Sequence, residues 1–371
     1  MSKFKIEFTL KQHTQLIHFQ SDQSGATLRA TELKPKFDRF LIEQLSLTEM
    51  IKKDNKDIEV PKDKYKHWFI GEGKKHLALD YKVKIVAKNS TKLQYKTYIA
   101  TRDRDNKALK VGSYFGDFKA LKSSIIKIEF FCFNPKVIDY INQYFNEFIS
   151  THTFGTRTSK GFGNYTNEKT TQKQFEEYLK KHFILFKKIS EREPLQKILK
   201  EYQVLKSGAR GGVKSKLMTY FIEDNIRWEK RWIKRKLKEK KEEWFNDLKD
   251  EYHTNDNAFH FSDSESYIFT RALLGLAEHN EFLVNSNSSD KLIVKISNDD
   301  IERFSSPLVY KIFDNTIYVL LDKKMPINPK IFNKKFKFIA YYKNNKKTKV
   351  SLGALKTPNF FDIANFLKKV L

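Results

Sequence analysis

An α+β fold, two mixed strand-and-helix halves around a charged helical middle, is what the sequence predicts. Three observations carry it. Strand and helix patterns alternate up to residue 167, charged helical runs fill 168–255, and strand patterns return from 256 to 371. With 371 residues, 40% of them apolar, each half can hold its own core.

The first strand is "KFKIEFTL" (3–10), where Phe4, Ile6, Phe8 and Leu10 alternate with Lys3, Lys5, Glu7 and Thr9 to give one apolar face. Next, "SDQSGATLRATELKPKFDRFLIEQL" (21–45) passes from loop into a helix. Its Phe37, Phe40, Leu41 and Leu45 recur at helical spacing, with Pro35 near the first turn. The polar stretch 52–75 reads as loop. Two strands follow, "HLALDYKVKIVAK" (76–88) and "KLQYKTYIA" (92–100), with "NST" as their hairpin turn.

"IIKIEFFCF" (125–133) is a further strand. Asn134 then caps a helix and Pro135 opens its first turn, while Val137, Ile138, Ile141, Tyr144, Phe145 and Phe148 form its apolar face. A glycine-rich loop follows, and "GFGNYT" is a last short strand. The order matches the β-α-β-β-α-β plan of a ferredoxin-like domain with an extra strand, so residues 1–167 are assigned to one such domain.

From 168 to 255 a helical insertion is expected: "QKQFEEYLKKHFILFKKI" (172–189) and residues 214–248, separated by "KSGARGG" (206–212). Trp228 and Trp232, four apart on the second helix, read as core rather than as a base-stacking pair. Strands "KLIVKISN", "PLVYKIF", "TIYVLLD" and "FKFIAYY" and a closing helix "FFDIANFLKKVL" then make 256–371 a second ferredoxin-like α+β domain, as if one fold had been duplicated.

Composition narrows the partners. Lys plus Arg number 71 against 45 Asp plus Glu, a net charge of +26, which favours a polyanion. A coding bias toward Lys, Asn, Phe and Ile raises lysine without function, yet it does not lower the acids. The one cysteine, Cys132 in an apolar run, rules out a disulfide framework or a cysteine zinc site. No stretch reaches the roughly 18 uncharged apolar residues of a membrane span, so a cytoplasmic chain with no membrane partner is expected.

The loop "GTRTSKGFG" (155–163) is the chemically distinctive segment. Gly155, Gly161 and Gly163 permit positive φ and close approach of another backbone, and Arg157 and Lys160 stand among hydroxyls and amides, all donors to phosphate oxygen. The alternative is a hairpin that only turns the chain. It is not a Walker loop, since the G-x-x-x-x-G-K-[ST] order is absent.

"GTRTSKGFG", placed after the second helix of a ferredoxin-like domain, resembles the G-rich loop of the RAMP superfamily of CRISPR-associated proteins. "ATELKPKFDRFL" (30–41), "TRALLGLAEH" (270–279) and "RFSSPLVYKIF" (303–313) resemble further stretches of that superfamily, most closely of the first subunits of type III-B Cmr effector complexes. The first of these departs from the family's pattern by reading "LKP" for "IKG". The resemblance implies tandem ferredoxin-like domains and a non-catalytic subunit of a ribonucleoprotein that binds guide RNA toward its 3′ end, or guide and target RNA together. Other effector subunits are the implied partners, and no cofactor is implied. Two alternatives stay open: a metal-independent RAMP endoribonuclease that processes guide RNA, and an RNA-independent scaffold.

On this reading the RNA-binding residues are Gly155, Arg157, Lys160, Gly161, Phe162 and Gly163 of the loop, with Lys34, Lys36 and Arg39 at the start of the first helix. That second group reads equally as a solvated helix start. Arg210 and Lys214 form a further cationic pair in a loop that serves either phosphate binding or a hinge. His18 is the candidate general acid or base, since 2′-hydroxyl cleavage needs a group titrating near neutrality, but "HTQLIHFQ" (13–20) also reads as packed strand. His182, His253 and His260 are scattered and no H-E-x-x-H occurs, so no metal site is expected.

Overall fold

The computed structural model describes residues 3–17, 27–73, 76–94, 119–209, 213–223, 226–240, 266–276, 280–283, 292–342 and 349–371. His18, Arg210, Trp244, His253 and His260 lie outside the described residues. In chain order the elements are β1 (Lys5–Gln12), α1 (Ala30–Leu45), β2 (Thr48–Lys53), β3 (Lys56–Pro61), β4 (Lys82–Gln94), β5 (Lys119–Phe131), α2 (Pro135–Thr151), β6 (Tyr165–Asn167), α3 (Gln172–His182) and β7 (Phe183–Ser190). Then come α4 (Pro194–Lys206), α5 (Lys216–Ile222), β8 (Ile226–Trp228), α6 (Glu229–Glu239), β9 (Ser266–Ile268), β10 (Asn280–Leu283), β11 (Leu292–Ser297), β12 (Leu308–Phe313), β13 (Thr316–Asp322), β14 (Lys335–Tyr342), β15 (Lys349–Lys356) and α7 (Ile363–Val370).

The architecture is mixed α and β with several small, mainly antiparallel sheets. It divides into two compact units: Met1–Leu199 with Val309–Leu320, and Lys200–Leu308 with Leu321–Leu371.

In the first unit four strands stand in the order β4-β5-β1-β6, each pair antiparallel. Alternation along β1 sends Phe8 and Leu10 inward, and the register sets them beside Ile126, Ile128 and Phe130 of β5. Phe37 of α1 and Phe145 and Phe148 of α2 close over this face, with Phe37 and Phe148 ring centroids 4.6 Å apart. Each fully buried phenylalanine contributes roughly 2 to 3 kcal/mol. α2 starts as the sequence predicts: the Asn134 side chain accepts from the Lys136 amide and Pro135 fills the first turn. A further three-stranded sheet, β12-β13-β7, draws a hairpin from far down the chain into the same unit.

Several sequence expectations are corrected. "NST" is not a turn: β4 runs straight through it, pairing Ser90 with Ser123 and Thr91 with Lys122. Of its three residues only Asn89 readily takes the positive φ that both central residues of a tight type I′ hairpin need. The stretch read as loop, 52–75, holds the end of β2 and all of β3, joined by Asp54 and Asn55, both at positive φ, which is the missed hairpin signal. "QKQFEEYLKKHFILFKKI" is half helix and half strand, because α3 ends at His182 and Phe183–Ser190 joins β13. The helix expected over 214–248 is broken into α5, β8 and α6, with Trp228 in the strand and Trp232 buried in the helix. Pro35 lies five residues inside α1 rather than near its start.

In the second unit β10-β11-β14-β15 form an antiparallel sheet. Trp232 of α6 packs edge-on against Phe338 at 5.2 Å, and Phe221 of α5 stacks on Phe361, which precedes α7, at 5.5 Å.

Candidate RNA interface

The glycine-rich loop is held from one side by the residues that follow β1. The His13 amide donates to Asn164 O at 3.0 Å, the Gly163 amide to Gln15 O at 2.9 Å and the Thr156 amide to Ile17 O at 2.7 Å. Within the loop Phe154 N–H donates to Gly163 O, and Thr158–Lys160 forms a single 3-10 turn. Gly155, Gly161 and Gly163 all have positive φ, and so does Arg157 at +56°. A non-glycine residue in that region costs roughly 1–2 kcal/mol and persists only where its surroundings fix it.

The backbone that approaches these glycines is the chain's own. A Cβ at Gly163 would lie 1.9 Å from Phe154 O, one at Gly155 2.5 Å from Ile17 O, and one at Gly161 2.8 Å from Ile198 Cδ1 and 3.0 Å from Ile312 Cδ1. Phe162 is fully buried and has no ring face to offer a base. The glycines and Phe162 therefore clamp the loop to the domain. Arg157 and Lys160, both half-buried as residues, are its cationic side chains, and the Nζ of Lys160 is itself buried, so Arg157 is the more accessible of the two.

The basic start of α1 meets this loop through two side chains. Glu32 Oε1 accepts from the Gly155 amide at 2.9 Å and from Lys36 Nζ at 2.8 Å, and Lys36 also donates to Thr153 O at 2.9 Å. The other two cations are engaged elsewhere: Lys34 donates to Asp38 and to Leu79 O over the Tyr81 ring, and Arg39 bridges Glu43 and Glu59. Burial pushes the Asp38 carboxyl up, against the pull of Lys34. Lys214 is exposed in the second unit, where Ala209 N–H donates to Val213 O and closes its loop.

Beside the loop's anchor lies a cleft of about 280 Å³, bordered by His13, Gln15, Lys122, Arg192, Glu193 and Asp314. Among the described residues Lys122 and Arg192 have no ion-pair partner, whereas Asp314 is bound by Lys11 at 2.7 Å. Lys122, Arg192 and Glu32 were not singled out in the sequence, because an isolated charge carries no local signal until the fold collects it.

His13 is committed to structure. Nδ1 faces both the Asp314 amide at 2.9 Å and Asp314 Oδ1 at 3.1 Å; the amide can only donate and is the shorter contact, so Nδ1 keeps its lone pair, Nε2–H donates to Thr166 Oγ1 at 2.9 Å and the ring is neutral. Burial pushes its pKa down to about 4, against the opposing pull of Asp314. His152 is likewise buried, its pKa about 3, with Nδ1–H donating to Phe148 O at 3.0 Å.

A pH dependence follows from His13. Its folded pKa lies below its unfolded one, so the unfolded chain binds more protons between pH 6.5 and 4, and stability falls as pH falls through that window. The His13 contribution alone amounts to roughly 3 kcal/mol. Melting temperatures of the wild type should drop steeply between pH 6.5 and 4. His13→Gln should start lower at pH 7 and fall less, and parallel curves would remove His13 as the cause.

Among the described residues no group of three or more His, Cys, Asp or Glu side chains is placed to hold a metal, and no helix is long and apolar enough to cross a membrane. The described part of "TRALLGLAEH", residues 270–276, is engaged in packing, and 277–279 lie outside the described residues. Arg271 pairs with the fully buried Glu229, Tyr202 and Lys206 take the carbonyls of Leu274 and Gly275, and Gly275 lies against the backbone of Ser306. Burial brings the Lys206 pKa down to about 8.

No curated protein matches the chain. Family models do: that of the Cmr1 N-terminal domain matches residues 3–209 and that of the Cmr1 C-terminal domain residues 212–371. The first match contains the glycine-rich loop with its anchor after β1, the second contains the Arg271–Gly275 turn, and together they leave almost nothing of the sequence outside. The chain therefore belongs to the Cmr1 family, whose members are subunits of type III-B CRISPR effector complexes.

Proposed function

We propose that this subunit is a non-catalytic RNA-binding component of its effector complex. It holds guide RNA, or guide paired with target, by the phosphate backbone at the glycine-rich loop and the adjoining cleft. The observation that carries the reading is the clamped loop itself: Arg157 is fixed at positive φ and Lys160 follows in the same turn, beside a cleft where Lys122 and Arg192 have no ion-pair partner among the described residues. Phosphate contacts give affinity without sequence preference. The strand order β4-β5-β1-β6 supports a ferredoxin-like plan for the first unit, and tandem use of that plan, ending its first copy near residue 167, is part of the same proposal.

Replacing Arg157 and Lys160 together by alanine should weaken RNA binding while melting stays near wild type. The slope of log K against log salt should flatten by roughly 1.4 to 1.8 units, according to strandedness. Unchanged affinity and slope would reduce the loop to a turn. Repeat RNA incubated with the wild type in EDTA should be shifted and not cut, and cleavage at one site would replace the binding reading with the processing nuclease.

A further inference from the structure

The face of the β4-β5-β1-β6 sheet turned away from α1 and α2 carries lysines and an aromatic cluster at one end. Register places Phe131 between Lys5 of β1 and Lys82 of β4, so the three side chains form one row across adjacent strands. Phe133, just past β5, is 79% exposed and stands edge-on to Phe131 at 4.9 Å, and Phe4 is 37% exposed with its ring 6.3 Å from that of Phe133. The next row is Glu7, Glu129 and Lys84, its two carboxylates both engaged by Lys5 at 2.9 and 2.8 Å. A cleft of about 500 Å³ opens at the same end, bordered by His67, Asp80, Lys82, Phe131 and Phe133.

We propose that Phe131 and Phe133, with Phe4 behind them, are a stacking platform for unpaired bases of single-stranded RNA, the lysines of the same face meeting its phosphates. Charge complementarity decides the occupant. Interfaces between proteins are depleted in lysine, whereas aromatic rings set among lysines are the arrangement that tracks a single strand. Lys3, Lys82 and Lys84 are exposed and have no ion-pair partner among the described residues; with Lys5, which Glu7 and Glu129 share, they outnumber the local carboxylates Glu7, Glu129 and Asp80. The platform lies at the Lys5 end of β1 and the glycine-rich loop's anchor follows the Gln12 end, roughly 25 Å away at the usual rise per residue. One strand of several nucleotides can therefore engage both. This inference rests on the RNA-binding reading above and adds a second, base-directed contact to it.

The test is fluorescence anisotropy with a labelled, unstructured RNA of about 12 nucleotides, within the span such platforms occupy. A matching strand of abasic riboses serves as its comparison. Phe131→Ala with Phe133→Ala should weaken binding of the RNA by roughly ten- to a hundredfold with the salt slope unchanged, since no charge is lost. The same change should leave binding of the abasic strand as it was. If that variant melts early, Phe131→Leu with Phe133→Leu keeps apolar volume and removes the ring faces, and should give the same loss, while Phe133→Tyr should bind as the wild type does. Affinity unchanged in both variants, with Arg157→Ala and Lys160→Ala still weakening it, would sink the platform alone. No binding by the wild type would sink both readings. Intact RNA affinity with loss of co-purifying subunits would reassign the patch to a protein partner and overturn the proposal.

Discussion

Gly163→Val is expected to destabilise the first unit by at least about 4 kcal/mol, a large part of the stability an ordinary domain has. A β-branched residue at φ +66° carries the left-handed penalty of roughly 1–2 kcal/mol, and the geometry adds more. The new Cβ would sit 1.9 Å from Phe154 O, 2.8 Å from its carbonyl carbon and 3.0 Å from its nitrogen. Backbone cannot swing aside as a side chain does. Phe154 is further fixed by its own N–H to Gly163 O and by a fully buried ring packed against Phe148 and Tyr165. Melting should fall by roughly 10 °C or more, and RNA binding should fall with the folded fraction. Gly71→Ala is the control: φ is +58° there with nothing within 4 Å, so only the left-handed cost of about 1 kcal/mol applies. Equal losses in the two variants would show that the clash at Gly163 is not what matters.

Arg271→Ala should cost roughly 3–5 kcal/mol, because it leaves the carboxylate of Glu229 buried without its partner. Burial lowers the Arg271 pKa and Glu229 opposes that, so the guanidinium stays charged through its pair. Removing both charges at once, Glu229→Gln with Arg271→Met, should cost clearly less than the sum of the single changes, since neither buried charge is then orphaned. Chemical denaturation of the three variants measures this. Strict additivity would mean that the two groups do not interact, and that the Arg271–Gly275 turn is held by Tyr202 and Lys206 alone.

Local pattern made much of the first unit legible. Strict alternation in β1, the Asn134-Pro135 start of α2 and the spacing of Phe37, Phe40 and Leu41 in α1 are each enforced within a few residues, and the structure keeps them. Charge runs misled the reading where burial decided the outcome. Residues 183–190 carry lysines that suit a helix, but β13 offers an unpaired edge, and backbone hydrogen bonding to that strand outweighs a weak helical preference. β2 was hidden because it is largely exposed, and in β3 the alternation of Ile58 and Val60 with Asp57 and Glu59 is too short to stand out, leaving the Asp54-Asn55 turn as the clearer signal.

The candidate interface divides the same way. By itself the sequence determined that this chain is basic, holds a loop of glycines and cations after α2, and shares its motifs with one family. Those properties reside in residue identity and short-range order. Only the tertiary structure decided what each residue in the motif does: Gly163 and Phe162 are consumed in holding the loop, Lys34 and Arg39 are paired within the domain, and Lys36 is tied to the loop through Glu32 and Thr153. It also brought Lys122 and Arg192 to one cleft and lined Phe131 up with Lys5 and Lys82, groups far apart in the chain. The physical reason is that a side chain's availability to a ligand depends on which neighbours already satisfy it, and strand register and long-range packing, not local sequence, choose those neighbours.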